Sequence, residues 1–376
     1  MKSIAFAGSF DPITNGHLYV IEQALHIAQE VFVILAINNS KKYMFDENTR
    51  KQMVQKAIDT LPQGNRVKVI VSHNEYVAQT VKTQLHCEYL IRGIRSGLDF
   101  DYENLIQKTN TDTLYGAQTL FVIPPKELDC VSSSFVKSLV GPIGWHWHIK
   151  NFIPQYTYQV WLEKYIKDTV FSYCGKETPQ FIDAIIQKYK QNNRFYHNTE
   201  HIAHCLQELQ WLDKQEKINE TEKIILCLAI LGHDTIYGAQ DKQYTDEQLS
   251  AKYMGQIVMK NFPLINHTIV EQLIENTQHI TSIQNNYTKL SNILNSIDLA
   301  ILSKPTPIYK NYCASVRLEY QQYNEQQYQT GRIKVLQHIL SMDKIFKHTS
   351  FYHYETLARE NIQQEINELQ NSLIKS

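Results

Sequence analysis

Apolar residues come in short bursts along the first third of the chain, at Ile4–Ala7, Val31–Ile37, Val67–Val71, Tyr89–Ile91 and Thr119–Ile123. Between them lie stretches whose apolar positions return every three or four residues: Leu18–Gln29, Asn48–Leu61, Val77–Gln84 and Asp101–Lys108. Unbroken apolar bursts suit strands buried on both faces, and their alternation with amphipathic helices predicts a parallel sheet covered on both sides. From Trp161 onward the alternation stops. Helical periodicity runs through Phe181–Lys190, Ile202–Leu212, Thr221–Leu231, Asp246–Lys260 and Thr268–His279. A last polar helix, Leu357–Leu373, is expected to pack on the surface. The chain reads as α/β followed by all-α.

Length supports that division, since 376 residues suit two domains better than one. Domains are expected at 1–167 and 168–376, across a soft boundary near 160–175 whose clearest turn is Gly175 to Pro179. A net charge of -1 and a pI near 6.9 argue against a nucleic-acid or membrane-surface partner. No apolar run approaches the roughly 20 residues of a bilayer span, and the N-terminus enters a strand without a basic, cleavable leader. The six cysteines, Cys87, Cys130, Cys174, Cys205, Cys227 and Cys313, form no C-x-x-C pair, as expected of reduced thiols in a cytoplasmic protein. The 23 tyrosines read as compositional drift, not as platforms for stacking bases.

Polar residues stand out just after the predicted strands, where parallel sheets bind ligands. Gly8-Ser9-Phe10-Asp11-Pro12-Ile13-Thr14-Asn15-Gly16-His17 turns a strand into a helix. Unpaired N–H groups at such a turn attract phosphate, with His17 at the helix entrance and Gly16 letting a ligand approach the backbone. A tight turn with a helix-start histidine explains the same residues taken alone. Ser40-Lys41-Lys42 follows the second strand, and Arg92-Gly93-Ile94-Arg95, leading into Asp99–Glu103, follows the fourth. Val131-Ser132-Ser133-Ser134-Phe135-Val136-Lys137 follows the fifth. Arginine offers forked donors to phosphate and lysine a mobile charge. Individually, the lysines also fit a solvated surface and the serines a helix cap.

Together GSFDPITNGH, SKKYMF, LIRGIRSGLDFDYE and VSSSFVK, in this order and spacing, resemble phosphopantetheine adenylyltransferase, a T/H-x-G-H nucleotidylyltransferase. The resemblance covers roughly residues 1–165, through Phe152-Ile153-Pro154, and implies a Rossmann-like sheet domain. It implies transfer of AMP from ATP to 4′-phosphopantetheine, giving dephospho-CoA and pyrophosphate, with Mg²⁺ on the triphosphate. By the same resemblance His17 stabilises the transition state, and Ser9, Lys42 and Arg92 hold the acceptor phosphate. Ser9, Phe10, His17, Gly93, Ile94, Arg95, Glu103, Leu128, Asp129, Cys130, Val131, Ser132, Ser133 and Ser134 would form the ATP site. A homo-oligomer built through this domain is expected. Leu128-Asp129-Cys130 departs from the aromatic residues common in the family before its serines, and Thr111 follows Asn110 where a basic residue is usual.

The helical half carries Tyr196-His197-Asn198-Thr199-Glu200-His201-Ile202, then Gly232-His233-Asp234, then Ile297-Asp298-Leu299. His197 and His201 stand four apart, so they are expected to share a helix face. A His-Asp pair offers one nitrogen and one oxygen to a divalent cation, and a distant carboxylate completes such a site. An inverted zinc-peptidase motif, His197-x-x-Glu200-His201, is an alternative that leaves the His-Asp pair and Asp298 unexplained. Core or capping histidines are the plain alternative. The ordered set resembles the HD-domain metal-dependent phosphohydrolases over about residues 170–340, and YHNTEHI is similar to a helix of cyclic-nucleotide phosphodiesterases. That resemblance implies His201, His233, Asp234 and Asp298 as ligands of Mn²⁺, Fe²⁺, Zn²⁺ or Mg²⁺, His197 as general acid, and Asn198 and Tyr196 as orienting residues. The rival readings make this half a metal-bound regulatory or assembly module, or give the transferase another phosphorylated acceptor.

Overall fold

Every residue from Val31 to Leu35 is buried, as a strand covered on both faces requires. The computed structural model describes residues 1–73, 75–175, 179–215, 218–239, 241, 243–278 and 288–375. Five parallel strands, β1 (Ser3–Gly8), β2 (Glu30–Ile37), β3 (Val67–His73), β4 (Tyr89–Gly93) and β5 (Gln118–Val122), form one sheet in the order β3-β2-β1-β4-β5. Each predicted burst lies on one of them. The register sets Ala5 opposite both Phe32 and Leu90, so β1 is central. Chain order reverses direction between β1 and β4, and a ligand crevice of such a sheet opens at the carboxyl ends there.

Helices α1 (Asn15–Ile27), α2 (Glu47–Ile58), α3 (Val77–Thr83) and α4 (Gly97–Lys108) alternate with the strands, and α5 (Ser133–Ser138) and α6 (Trp145–Ile149) follow them. On one face Ala5, Ala7, Phe32, Ile34 and Leu90 pack with Ala78 and Val81 of α3. The predicted helix from Leu18 starts earlier, at Asn15, because Thr14 caps it. The same happens to α4, which Ser96 caps.

The chain divides into two compact units, Met1–Trp161 and Leu162–Ser376, and the division falls inside α7 (Gln155–Cys174), within the expected span near 160–175 but ahead of its clearest turn. Gly175 does leave that helix in a left-handed conformation, φ 84, while residues 176–178 lie outside the described set.

The second unit is helical: α8 (Pro179–Tyr189), α9 (Thr199–Gln215), α10 (Glu220–Gly232), α11 (Asp246–Asn261), α12 (His267–Glu275), α13 (Thr288–Asp298), α14 (Thr306–Glu319), α15 (Glu325–Ser341) and α16 (Glu355–Lys375). Helix α10 is buried at every position from Ile225 to Gly232 and contacts α9, α11, α12 and α13, so it is the core helix. The helix predicted to end at His279 closes with a 3-10 turn, Asn276–Gln278, and His279 lies outside the described residues. The last helix is less superficial than its polarity suggests. Ala358, Ile362 and Ile366 are buried at a four-residue spacing, and α16 packs on α15. Among the described residues no helix is long and apolar enough to cross a membrane. All six cysteines are free thiols.

Candidate functional site

At the carboxyl end of β1 the chain folds around His17. Thr14 and His17 form a reciprocal cap: the Thr14 backbone N–H donates to His17 Nδ1 at 3.0 Å, and the Thr14 hydroxyl lies 2.8 Å from the same nitrogen. A backbone N–H can only donate, so Nδ1 accepts and the ring's proton sits on Nε2. Phe10 and Phe6 pack against the imidazole, with ring centroids 5.2 and 6.1 Å away. Desolvation, then the charges of Arg95 and Arg92, push the His17 pKa down to about 4. His17 is therefore both the helix-start residue of the plain explanation and a neutral N–H donor at neutral pH.

Three elements are tied to this turn. Asp11, buried, accepts from the Met44 and Phe45 backbone N–H groups at 2.9 and 3.0 Å and pairs with Lys137 at 3.1 Å. It thus joins the loop after β2 and the serine-rich helix to the first motif. Arg50, also buried, donates to the carbonyls of Ser9 (2.8 Å) and Phe45 (3.1 Å). Ser133 donates to the Pro12 carbonyl at 2.7 Å, and Ser132 caps α5 by accepting from the Phe135 N–H. A Cβ on Gly16 would stand 2.8 Å from the Val131 carbonyl oxygen. Gly16 is therefore needed for close packing of α1 on the serine motif, a role beyond the one expected of it.

At the end of β4, Arg92 donates to the Ala7 carbonyl at 2.7 Å and pairs with Glu103 at 3.3 Å. Glu103 orients the arginine. Arg95 pairs with Asp99 at 3.0 Å. Phe10 is fully buried, its ring packed against His17. Gly93 ends β4, and Ile94, buried, continues the ladder to Val122. Leu128 closes a 3-10 turn, Asp129, Cys130 and Ser134 are exposed, and Val131 is buried beside Gly16. Lys41 and Lys42 are exposed on the loop that Asp11 anchors.

In the second unit the four predicted ligands converge. His201 Nε2 lies 3.0 Å from His233 Nε2 and 3.2 Å from Asp298 Oδ1. His233 Nε2 lies 3.0 Å from Asp234 Oδ2 and 3.5 Å from Asp298 Oδ1. Donors bound at about 2.1 Å to one cation stand about 3.0–3.4 Å apart in octahedral or tetrahedral geometry, so His201, His233 and Asp234 form one group that could hold a divalent ion. His233 Nδ1 donates to the Ile230 carbonyl at 2.8 Å, leaving Nε2 as the lone-pair donor that a metal needs. Buried Cys205 joins His201 and Asp298 in a second, overlapping donor group.

His197 departs from expectation. Helix α9 begins at Thr199, so His197 sits in the preceding turn and shares no helix face with His201, although their rings are 5.9 Å apart. Asn198 bridges the turn, donating to the Phe195 carbonyl and accepting from the Glu200 N–H. Tyr196 packs between His197 and His201.

Sequence reasoning missed what holds that turn. The buried Glu319 carboxylate accepts from the backbone N–H groups of Phe195, Tyr196 and His197 at 2.7–2.9 Å, from His197 Nδ1 at 2.7 Å and from the Tyr237 hydroxyl at 3.0 Å. Burial raises the Glu319 pKa, yet the His197 and backbone hydrogen bonds hold it below the ordinary carboxylate range. Arg194 donates to the carbonyls of His197, Asp234 and Thr235, locking the two motifs together. Nothing in the spacing pointed to Glu319; Arg194, two residues before the Tyr196–Ile202 motif, was open to notice.

A profile of the cytidylyltransferase-like family matches residues 5–139. Phosphopantetheine adenylyltransferase of Chromobacterium violaceum is 33% identical over 165 residues, 44% of this chain and 98% of the relative. The Neisseria meningitidis serogroup C enzyme of that name is 34% identical over 42% of this chain and 91% of its own length. A Francisella tularensis subsp. mediasiatica relative is 32% identical over 45% of this chain and all of its own length. Among solved structures, nicotinic acid mononucleotide adenylyltransferase of Plasmodium falciparum complexed with NaAD covers 43% of this chain and 95% of its own at 20% identity. Its TM-score of 0.34 carries no weight. The sheet, the capped His17 turn and near-complete coverage of relatives at a third identity agree: the chain belongs, through its N-terminal part, to the phosphopantetheine adenylyltransferase family.

Proposed function

We propose that the first unit transfers AMP from ATP to 4′-phosphopantetheine, giving dephospho-CoA and pyrophosphate, and that the second unit is a divalent-metal phosphohydrolase of the HD type. The first activity rests on His17, a neutral Nε2–H donor flanked by Arg92 and Arg95 at a strand end. An acceptor phosphate oxygen attacks the α-phosphorus of ATP while the bond to the bridging β-phosphate oxygen breaks. No covalent enzyme intermediate is needed, only positioned phosphates and charge stabilisation. His17 Nε2–H donates to the developing charge, Arg92 and Lys42 hold the acceptor phosphate, and the serine-rich segment takes the nucleotide. Both groups of three or more metal donors found among the described residues lie in the second unit. Mg²⁺ of the first unit would thus be held by the triphosphate and water. Pyrophosphate release from ATP, Mg²⁺ and 4′-phosphopantetheine tests this; its absence with active ATP present refutes it.

The second activity rests on the convergence of His201, His233, Asp234 and Asp298. A bound divalent cation supplies Lewis-acid polarisation of phosphate and an activated water. His197, held at Nδ1 by Glu319, delivers a proton from Nε2 to the leaving oxygen. Elemental analysis after supplying Mn²⁺, Fe²⁺ or Zn²⁺, beside a phosphoester screen, tests it. A chain that binds no metal leaves only a structural role for this unit. The same reading places the protein in the cytoplasm, with ATP and 4′-phosphopantetheine as partners, and has the first units associate. Exposed Leu98 and Leu105 on α4 support that association, and sedimentation measures it.

A further inference from the structure

Three thiols of the chain are buried, and two of them meet hydroxyl or thiol partners. Cys87 donates to the Ser3 hydroxyl at 3.2 Å, and Cys227 is in hydrogen-bond contact with the Cys174 thiol. The third, Cys205, stands four residues after His201 on α9, so the two share a helix face. Its Sγ lies 3.8 Å from His201 Nε2 and 3.8 Å from Nδ1, and both residues are almost without solvent exposure. Asp298 Oδ1 approaches the same Nε2 at 3.2 Å from the end of α13. One donor atom from each of His201, Cys205 and Asp298 falls within 4.8 Å of the others. A buried cysteine ordinarily packs as a small apolar side chain. This one faces an imidazole and stands near a carboxylate, both of them metal donors.

We infer that Cys205 is itself a metal ligand, forming with His201 and Asp298 a second seat for a thiophilic divalent cation of the Zn²⁺ class. This rests on the metal reading above and adds to it a ligand and a class of cation. Zinc holds nitrogen at about 2.0–2.1 Å and sulfur at about 2.3 Å, which sets a tetrahedral nitrogen and sulfur about 3.5 Å apart. The 3.8 Å between His201 Nε2 and Cys205 Sγ is within a few tenths of an ångström of that separation. As the cation binds, the S–H bond breaks, its proton passes to water and a sulfur–metal bond forms, with no change of oxidation state. The other seat, His201, His233 and Asp234, offers only nitrogen and oxygen. Each seat has His201 and one aspartate, so they differ by a thiolate in place of an imidazole. Thiolate favours Zn²⁺, whereas Mn²⁺ is suited by oxygen. His201 Nε2 carries one lone pair, so a cation held through it in one seat excludes a cation in the other. Two overlapping seats that share a histidine thus sort cations by softness.

The test uses the full-length chain, stripped of metal and titrated with Co²⁺ as a spectroscopic substitute for Zn²⁺. Cobalt bound to thiolate gives a strong near-ultraviolet band from sulfur-to-metal charge transfer, which nitrogen and oxygen ligands do not produce. The band is expected in the wild type, and Zn²⁺ should displace it. Five other cysteines are present, so two substitutions identify the sulfur. Cys205→Ser keeps the side chain's size and Cys205→Val its apolar packing, and both should lose the band. Equilibrium dialysis should show Zn²⁺ bound at least about tenfold more weakly by each variant, the least that losing even an orienting partner of a ligand costs. Mn²⁺ affinity should stay close to wild type, which also shows that the site has folded. Cobalt bound without the band, a band that survives both substitutions, or Zn²⁺ and Mn²⁺ weakened alike in both variants overturns the inference and leaves the first seat standing. A wild-type chain that takes up neither Co²⁺ nor Mn²⁺ overturns the metal reading itself, and the second seat with it.

Discussion

His17 and His197 are both held through Nδ1, but by partners of opposite kind. Thr14, three residues away, donates to His17, so that ring keeps its single proton on Nε2 and acts as a neutral donor. Glu319, 122 residues away, accepts from His197, so Nε2 is left to give up or take a proton. In the function proposed above, one arrangement would serve charge stabilisation and the other proton transfer. The first is built within one turn of helix, whereas the second depends on two distant segments meeting.

The largest effect should come from Asp234→Ala. It removes one donor of the His201, His233, Asp234 group, so metal content and phosphoester hydrolysis should fall to background while pyrophosphate release persists. Elemental analysis and both assays on one preparation check this, and joint loss of both activities would break the separation of the two sites. Next, His17→Ala should lower adenylyl transfer by about 10²-fold or more, since a preorganised donor is lost. Unchanged pyrophosphate release would remove His17 from the chemistry.

Glu319→Gln sharpens the contrast directly. It should slow hydrolysis by roughly 10-fold to 100-fold, in line with the loss of an orienting partner, with metal content unaltered and a displaced pH–rate profile. Wild-type kinetics in that variant would mean His197 works without its carboxylate. Gly16→Ala should destabilise the first unit by about 1–3 kcal/mol, because its Cβ meets the Val131 carbonyl and packed backbone yields little. Urea denaturation measures that cost.

The smallest effect is on pH. His17 titrates near 6.5 in an unfolded chain and at about 4 in the fold. Between those values the unfolded state binds the proton that the folded state refuses, so stability falls as pH falls through that window. Thermal melts of wild type and His17→Ala from pH 7 to 4 should differ in slope, with the variant flatter. Because His17 is half-buried, the difference will be modest.

The strands were legible because each is a local apolar run, and β1 to β5 fall on the five runs read from the chain. The helix starts were less so: Thr14 and Ser96 move α1 and α4 toward the N-terminus by capping. In the second unit His201, His233, Asp234 and Asp298, expected as metal donors from short motifs, lie near one another, with Asp298 grouped beside His201 and Cys205. Their neighbour His197 was misplaced on the helix, because a four-residue spacing does not reveal where a helix begins. Asp11 lay inside the first motif and Arg50 inside a predicted helix, and neither was given a role of its own. Burial makes them the pins of the first site, and burial of a charge depends on what packs around it.

The chain alone determined the two fold classes and the strand-end placement of the first motifs. Each of these follows from residues within a turn or two of one another, where periodicity and capping act. The tertiary structure alone decided the strand order and the partner of His197. A carboxylate at the end of α14 can reach the turn before α9 only after the core of the second unit has packed, and no local pattern records which distant segment it will meet.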